Sequence, residues 1–174
     1  MTTRWLGPLA AGALVAVLAW YATLVAAPFA LMRVAMNRLG ARGSVNAFSH
    51  GPPTRAESQF VVRPSPDLLY STCVFDRSSG PVLVDVLAIP DHYWSVSVFD
   101  ARTDVAAVRS DRDTGGAPAR LALVAPGAPA PAGYQPVALA HARGIVLIRI
   151  LVAGEDDYHA VDPLRQMASC RAGQ

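Results

Sequence analysis

The chain has 174 residues, 52% of them hydrophobic, with fifteen arginines, no lysine and thirteen acids, for a net charge of +2. Four of the arginines fall at or before residue 42, so the remaining eleven face all thirteen acids and the rest of the chain is net −2. That balance excludes a nucleic-acid surface built on bulk charge, and the length allows one domain with an appendage.

From Trp5 to Met32 no residue carries a formal charge, and Ala, Leu and Val dominate. As a helix this stretch would be about 42 Å long, against a hydrocarbon core of about 30 Å. It reads as a transmembrane anchor whose partner is the lipid bilayer through residues 5–32. Pro8 lies where a missing N–H costs little, and Pro28 is expected to kink or end the apolar helix. Trp5 suits a membrane interface, while Trp20 and Tyr21 sit deep for an aromatic belt. The rival reading is a cleaved signal peptide with a weak site at Val25-Ala26-Ala27, which Pro28 opposes. Arg33, Arg38 and Arg42 follow the span and only Arg4 precedes it. The literal positive-inside count therefore puts the domain in the cytoplasm, although large domains cross despite flanking charge.

Residues 33–39 can extend the helix past the bilayer, with Gly40 and Gly43 as stops. This gives an anchor and extension over 1–42, a Ser/Asn/Pro-rich linker over 43–58, and a domain over 59–174. Short strands then follow one another. Gln59–Arg63 precedes a Pro64/Pro66 turn, and Leu68–Phe75 is apolar on both faces and so central. Val82–Ile89 turns Val82, Val84 and Val86 one way and Asp85 the other. Tyr93–Phe99 alternates Trp94, Val96 and Val98 with Ser95 and Ser97, the pattern of a half-buried strand. Weaker strands are expected at Val105–Arg109, Arg120–Val124 and Pro136–Ala140, and a strongly apolar one at Ile145–Val152. Ser110–Gly116 and the Ala/Pro/Gly-rich 125–133 read as loops. Glu155, Asp156 and Asp157 open a terminal helix over about 157–169, interrupted by Pro163, with Asp156 or Asp157 suited to the cap. About eight short strands without a long internal helix predict an all-β fold, an antiparallel β-sandwich or jelly-roll.

No GxSxG elbow, phosphate-binding glycine loop or HExxH motif is present, so the sequence leans away from an enzyme. His50, His92, His141 and His159 lack metal-ligand spacing. No metal or cofactor is expected. His50 reads as a solvated linker residue, and the others as surface or structural. A sandwich can nevertheless bring His92 or His141 to an acid from a distant loop. The Glu155-Asp156-Asp157 run reads as a helix start before a cation site. Cys73 sits mid-strand, where burial keeps a thiol inert. Cys73 and Cys170 allow one intramolecular pairing. They are either two buried thiols or a bond closing a long loop, which persists only in an oxidising compartment.

The stretch Arg63-Pro64-Ser65-Pro66-Asp67-Leu68-Leu69-Tyr70-Ser71 resembles the signature of the domain-of-unknown-function family 1254. The likeness continues through Gly80-Pro81-Val82, Tyr93–Asp100 with Thr103-Asp104, Gly144–Arg149 and Gly154–Asp157, about residues 50–170. Ser65 stands where the family more often has Asn. The chain looks like a short, membrane-anchored form. Longer relatives carry a fused second domain of the family numbered 1214, which implies a separate partner protein here. Family members are exported or membrane-associated. The resemblance therefore favours the cytoplasmic (inner) membrane, a single pass and a domain on the periplasmic side, and with them the Cys73–Cys170 disulfide. It brings no agreed reaction.

The motif itself has two readings. In the architectural one, the prolines fix the turn, Asp67 caps local N–H groups, and Arg63 pairs with Asp67 or Asp100. In the functional one, Arg63, Asp67, Tyr70, Asp100 and Arg149 line a polar cleft whose arginines hold an anion bidentately. The first implies a non-catalytic binding or assembly module of the cell envelope. The alternative is an enzyme or binder for an anionic envelope carbohydrate or lipid head group.

Overall fold

The structure is a computed structural model that describes residues 3–41, 43–53 and 64–173. The expected strand at 59–63, Arg42 and the side chain of Arg63 lie outside the described residues. A 35-residue helix, α1 (Leu6–Gly40), leads the chain. It runs through Pro28 without ending there, so the proline does not terminate the helix as its missing N–H suggested. Its 18-residue apolar window has a mean hydropathy of 2.1.

Nine strands follow in two sheets. They are β1 (Phe48–His50), β2 (Leu68–Asp76), β3 (Val82–Val86), β4 (Trp94–Asp100), β5 (Val105–Ser110), β6 (Ala119–Val124), β7 (Gln135–Ala138), β8 (Arg143–Leu151) and β9 (Ser169–Ala172). The five-stranded sheet has the order β1-β2-β8-β4-β5, and the four-stranded sheet β7-β6-β3-β9. The architecture is a sandwich, as expected. One pairing departs from the antiparallel expectation: β6 and β7 run parallel. The Pro/Gly-rich segment 125–134 carries the chain back along the sheet before β7 begins, where a tight hairpin would have reversed it.

Three short elements break the expected boundaries. Residues 48–50, read as linker, pair with Cys73–Ser71 and extend the first sheet. Ser110–Gly116, read as a loop, contains a one-turn helix, α2 (Asp111–Thr114), closed by a reciprocal Ser110–Asp113 capping box. The terminal helix α3 (Glu155–Gln166) accommodates Pro163 and stops early, and Cys170 then lies on strand β9 rather than on a helix.

The core forms because alternate residues of facing strands share one side. Leu69, Cys73 and Phe75 of β2, Trp94, Val96 and Val98 of β4, and Val146, Ile148 and Ile150 of β8 meet Val82, Val84 and Val86 of β3 with Leu121 and Leu123 of β6. Ser95 and Ser97 point out of this core yet are also buried, so β4 is covered on both faces. The sulfurs of Cys73 and Cys170 stand at disulfide distance, 2.05 Å, and join β2 of one sheet to β9 of the other. α3 covers the core on the β1–β2 side through buried Val161 and Arg165. The C-terminal part of α1 lies against β2 and β8, with Met32 buried.

Gly144 of β8 fills the crossing of three strands, opposite Phe75 of β2 and Asp100 of β4. A Cβ there would sit 2.1 Å from the Phe99 carbonyl and 2.6 Å from Cζ of Phe75. Backbone cannot yield to that overlap as a flexible side chain can. Gly144→Ala is therefore expected to destabilise the domain by about 3 kcal/mol or more, measured by denaturant unfolding. A loss under about 0.5 kcal/mol would contradict this packing.

Candidate functional site

The signature turn at Pro64–Asp67 opens β2 at the end of the sandwich away from the α1 entry. The Ser65 N–H donates to the Tyr70 hydroxyl (2.9 Å), and the Leu68 N–H to the Ser65 carbonyl (3.3 Å). Asp67 is exposed, and its carbonyl accepts from the Val152 N–H at 2.9 Å. The Tyr70 carbonyl accepts twice, from the Gly51 N–H (3.0 Å) and from Nη1 of Arg165 (3.1 Å). Arg165 is only 3% exposed. It also donates to the Gly51 carbonyl (2.9 Å), and through Nε and Nη2 to Asp162. A buried guanidinium is tolerable only when its donors are paired in this way.

Beside it, His50 Nδ1 lies 2.8 Å from the hydroxyl of Ser71, which is fully buried. His50 is thus half-buried on β1 instead of solvated. Burial lowers its pKa, the Arg165 charge lowers it further, and Asp162 only partly opposes them. Its ring is neutral at neutral pH.

The five residues expected to share a cleft separate. Tyr70 and Arg149 are brought together, directly opposite in the β2–β8 register, with Ser95 of β4 on the other side of Arg149. Nη2 of Arg149 approaches the Ser97 hydroxyl at 3.5 Å. Its Nε and the Ser95 hydroxyl are buried with no hydrogen-bond partner among the described residues. Asp67 sits at the edge of this group, and Arg63 lies outside the described residues. Asp100 ends β4 five residues beyond Ser95, about 17 Å away along the strand.

There Asp100 accepts the N–H groups of Arg102 (2.7 Å) and Asp104 (3.3 Å), which fix the β4–β5 turn, and lies 3.0 Å from Nδ1 of His141. Burial pushes its pKa up, but the Arg102 N–H, the His141 ring and the Asp104 N–H outweigh burial and hold it below the usual carboxylate range.

Three further polar groups were not legible as pairs in the sequence. His92 Nε2 meets Asp157 at 2.7 Å, and its Nδ1 faces the Pro90 carbonyl at 2.6 Å. Asp157 also accepts the Ala153 N–H (2.7 Å), which is how the acidic start of α3 is used. On the outer face of the second sheet, Asp85 accepts from the Tyr134 hydroxyl (2.9 Å), the Ser169 hydroxyl (3.0 Å) and Arg171, with Arg120 at 3.7 Å. Desolvation raises the Asp85 pKa, and Arg171 and the two hydroxyls more than reverse it. Arg109 of β5 and Arg120 of β6 flank a groove of about 250 Å³ between the edges of the two sheets. Nε of Arg109 donates across it to Gln135 at 2.9 Å. This groove and a small apolar crevice under α3, of about 10 Å³, are the cavities of note among the described residues.

A mixed two-sheet sandwich, led by a long apolar helix and organised on a signature strand that opens with a Pro-x-Pro turn, defines the class. The chain belongs to the family described as Protein of unknown function (DUF1254), whose family model matches residues 45–172. Its fold is similar to that of the VPA0106 protein from Vibrio parahaemolyticus, with a TM-score of 0.70 at 16% identity over 87% of this chain and 37% of that one. An uncharacterised protein from Burkholderia cenocepacia aligns with a TM-score of 0.49 at 16% identity, over 74% of this chain and 34% of that one. The chain therefore spans little more than a third of the length of either solved protein. No curated protein matches it.

The His92–Asp157 contact carries a pH signature. The Pro90 carbonyl and then Asp157 raise the His92 pKa above its ordinary value, burial opposing them. Its contribution is fully present below the unfolded imidazole value of about 6.5, and is lost as pH rises through the higher folded value. The melting temperature of the wild type should exceed that of His92→Gln most at pH 5–6 and by less at pH 8. A gap that widens with rising pH would contradict the pairing.

Proposed function

We propose that this protein is a membrane-anchored envelope module that docks a separate polypeptide on the open edge of β5. The observation that carries the reading is that edge. Among the described residues β5 pairs on one side only, with β4, so alternate residues of this six-residue strand turn their N–H and C=O groups to the other side, while the Val108 carbonyl accepts from Nη1 of Arg109. Val105 is 56% exposed and Val108 43%, and Arg109 is the one charged side chain on the strand to blunt this edge. The groove beside it, between Arg109 and Arg120, suits an acidic side chain of the incoming strand. The docked polypeptide in this proposal resembles the second domain of longer relatives; the chain itself spans 37% of the matched Vibrio protein.

The test is photo-crosslinking from a reactive amino acid at Val108 in cells, with Ala172 on the β9 edge as control. A crosslink to a distinct polypeptide from Val108 alone, abolished by Val105→Lys, is expected. Equal yields at both positions, or crosslinks only to a second copy of this chain, would overturn the reading.

The same proposal puts the domain on the oxidising side of the membrane, supported by β2 and β9 bringing Cys73 and Cys170 together across the two sheets. A closed loop of 97 residues stabilises a fold by about 4–5 kcal/mol on the chain-entropy account. Nonreducing electrophoresis and intact mass should find no free thiol, and an export-dependent reporter fused after Gln174 should be active. Two free thiols, or activity only from a cytoplasm-dependent reporter, would reverse the topology.

A further inference from the structure

α1 continues into the domain without a break, and its exposure changes at one point. Every side chain from Arg4 to Ala26 is exposed, whereas from Ala27 onward coverage recurs at Pro28, Met32, Ala35, Met36 and Leu39. The free part, Leu6–Ala26, is about 31 Å long as a helix, which matches a hydrocarbon core of about 30 Å. The domain begins within one turn of that length. Phe29 meets the His141 ring edge-on at 5.3 Å, and the Arg102 guanidinium lies over the Phe29 ring at 5.8 Å. No flexible linker separates span from sandwich at this point, since the helix runs on to Gly40.

The register fixes which end this is. Asp76 of β2, Arg143 of β8 and Asp100 of β4 terminate together, so the β2–β3, β4–β5 and β7–β8 turns share the Phe29 end. Two carboxylates there, Asp76 and Asp100, are already engaged, and a third, Asp104, is 70% exposed with its oxygen 4.0 Å from Nε of Arg102. Asp76 accepts the Ser78 hydroxyl, the Ser78 N–H and Nε of Arg143, the Ser78 contacts leading, and its pKa falls to about 2. Asp100 is held by the β4–β5 turn and His141. The guanidiniums face outward: the Arg102 side chain is 47% exposed and that of Arg143 67%. The opposite end instead exposes Asp67, Asp91, Glu155 and Asp156.

We infer that the Phe29 end of the sandwich rests on the lipid head groups, with Arg102 and Arg143 facing the phosphates of anionic phospholipid. This rests on the reading of α1 as a membrane span. A domain held by a continuous helix cannot rise from the bilayer without bending α1, so its orientation follows from the helix–sheet contact.

The experiment uses the full chain in lipid nanodiscs, native cysteines paired, with nitroxide labels at Thr103→Cys, at Asp91→Cys and at Leu14→Cys in separate samples. Ser79→Cys on the β2–β3 turn serves if the Thr103 variant fails to fold. Relaxation by a water-soluble nickel chelate should be several-fold weaker at Thr103 than at Asp91. The difference should grow when phosphatidylglycerol replaces part of the phosphatidylcholine. Arg102→Gln with Arg143→Gln should remove that growth. Equal accessibility at Thr103 and Asp91, with Leu14 shielded, would overturn the resting surface while leaving the span intact. A water-accessible Leu14 would overturn both. A lipid response unchanged in the double variant would overturn the arginine–phosphate contact.

Discussion

The constraint on which the rest of the molecule depends is that β2 has no free face. It pairs with β8 in unbroken register from Leu68–Leu151 to Asp76–Arg143, and with β1 on its other side. Its inward residues Leu69, Cys73 and Phe75 are buried against the second sheet, and its outward side lies toward α1. Because both sides are used, a one-residue slip would send Cys73 away from Cys170 and expose Phe75. The Pro64–Asp67 turn fixes where this strand starts, and that gives the signature an architectural role whatever else it does. Arg165 extends the same constraint to α3, since it ties the carbonyls of Tyr70 and Gly51 to Asp162. Removing one partner from such a buried ionic group costs about 3–5 kcal/mol, far more than a surface pair contributes.

How much of this was legible in the sequence depends on the range of the interaction. The Trp94/Val96/Val98 alternation and the double-faced Leu68–Phe75 run announce β4 and β2, because a strand's facing is encoded every second residue. The apolar helix is equally plain. β9 escapes because four residues, Ser169–Ala172, carry too few alternations to register. β7 could be found, but not its parallel direction, which is set by the path of residues 125–134. Tyr70 and Arg149 are 79 positions apart and His50 and Arg165 are 115 apart. Only the sheet register and the placement of α3 bring them together. Hence the cleft imagined from charge and rigidity does not include Asp100, which the register carries to the opposite end of β4.

The two histidine–carboxylate pairs show why proximity alone does not define chemistry. At His92 both ring nitrogens face acceptors, the Pro90 carbonyl and Asp157. The protonated ring satisfies both, and a ring so occupied has no nitrogen left to take a proton from a substrate. At His141 the partner Asp100 is already bound by two backbone N–H groups of its own turn, and the ring lies against Phe29. In both places the contact joins elements distant in sequence, α3 to the β3–β4 turn and the β7–β8 turn to α1. The polar side chains of these two pairs hold geometry at either end of the sandwich.

Those surfaces are arranged by the helix. α1 enters at the end that carries Arg102 and Arg143, runs against β2 and β8, and leaves β5 on the far side of the sheet. A helix lying over β5 would have buried Val105 and Val108. Lying over β2 and β8 it covers the signature strand, and the β5 edge pairs with no second strand among the described residues. An edge with exposed valines is an aggregation hazard in a freely diffusing domain, and the proposed tethering at a bilayer would limit the orientations in which two such edges can meet. The proposed anchor and the proposed docking edge are therefore consistent with each other: the helix–sheet contact over β2 and β8 leaves β5 uncovered by α1.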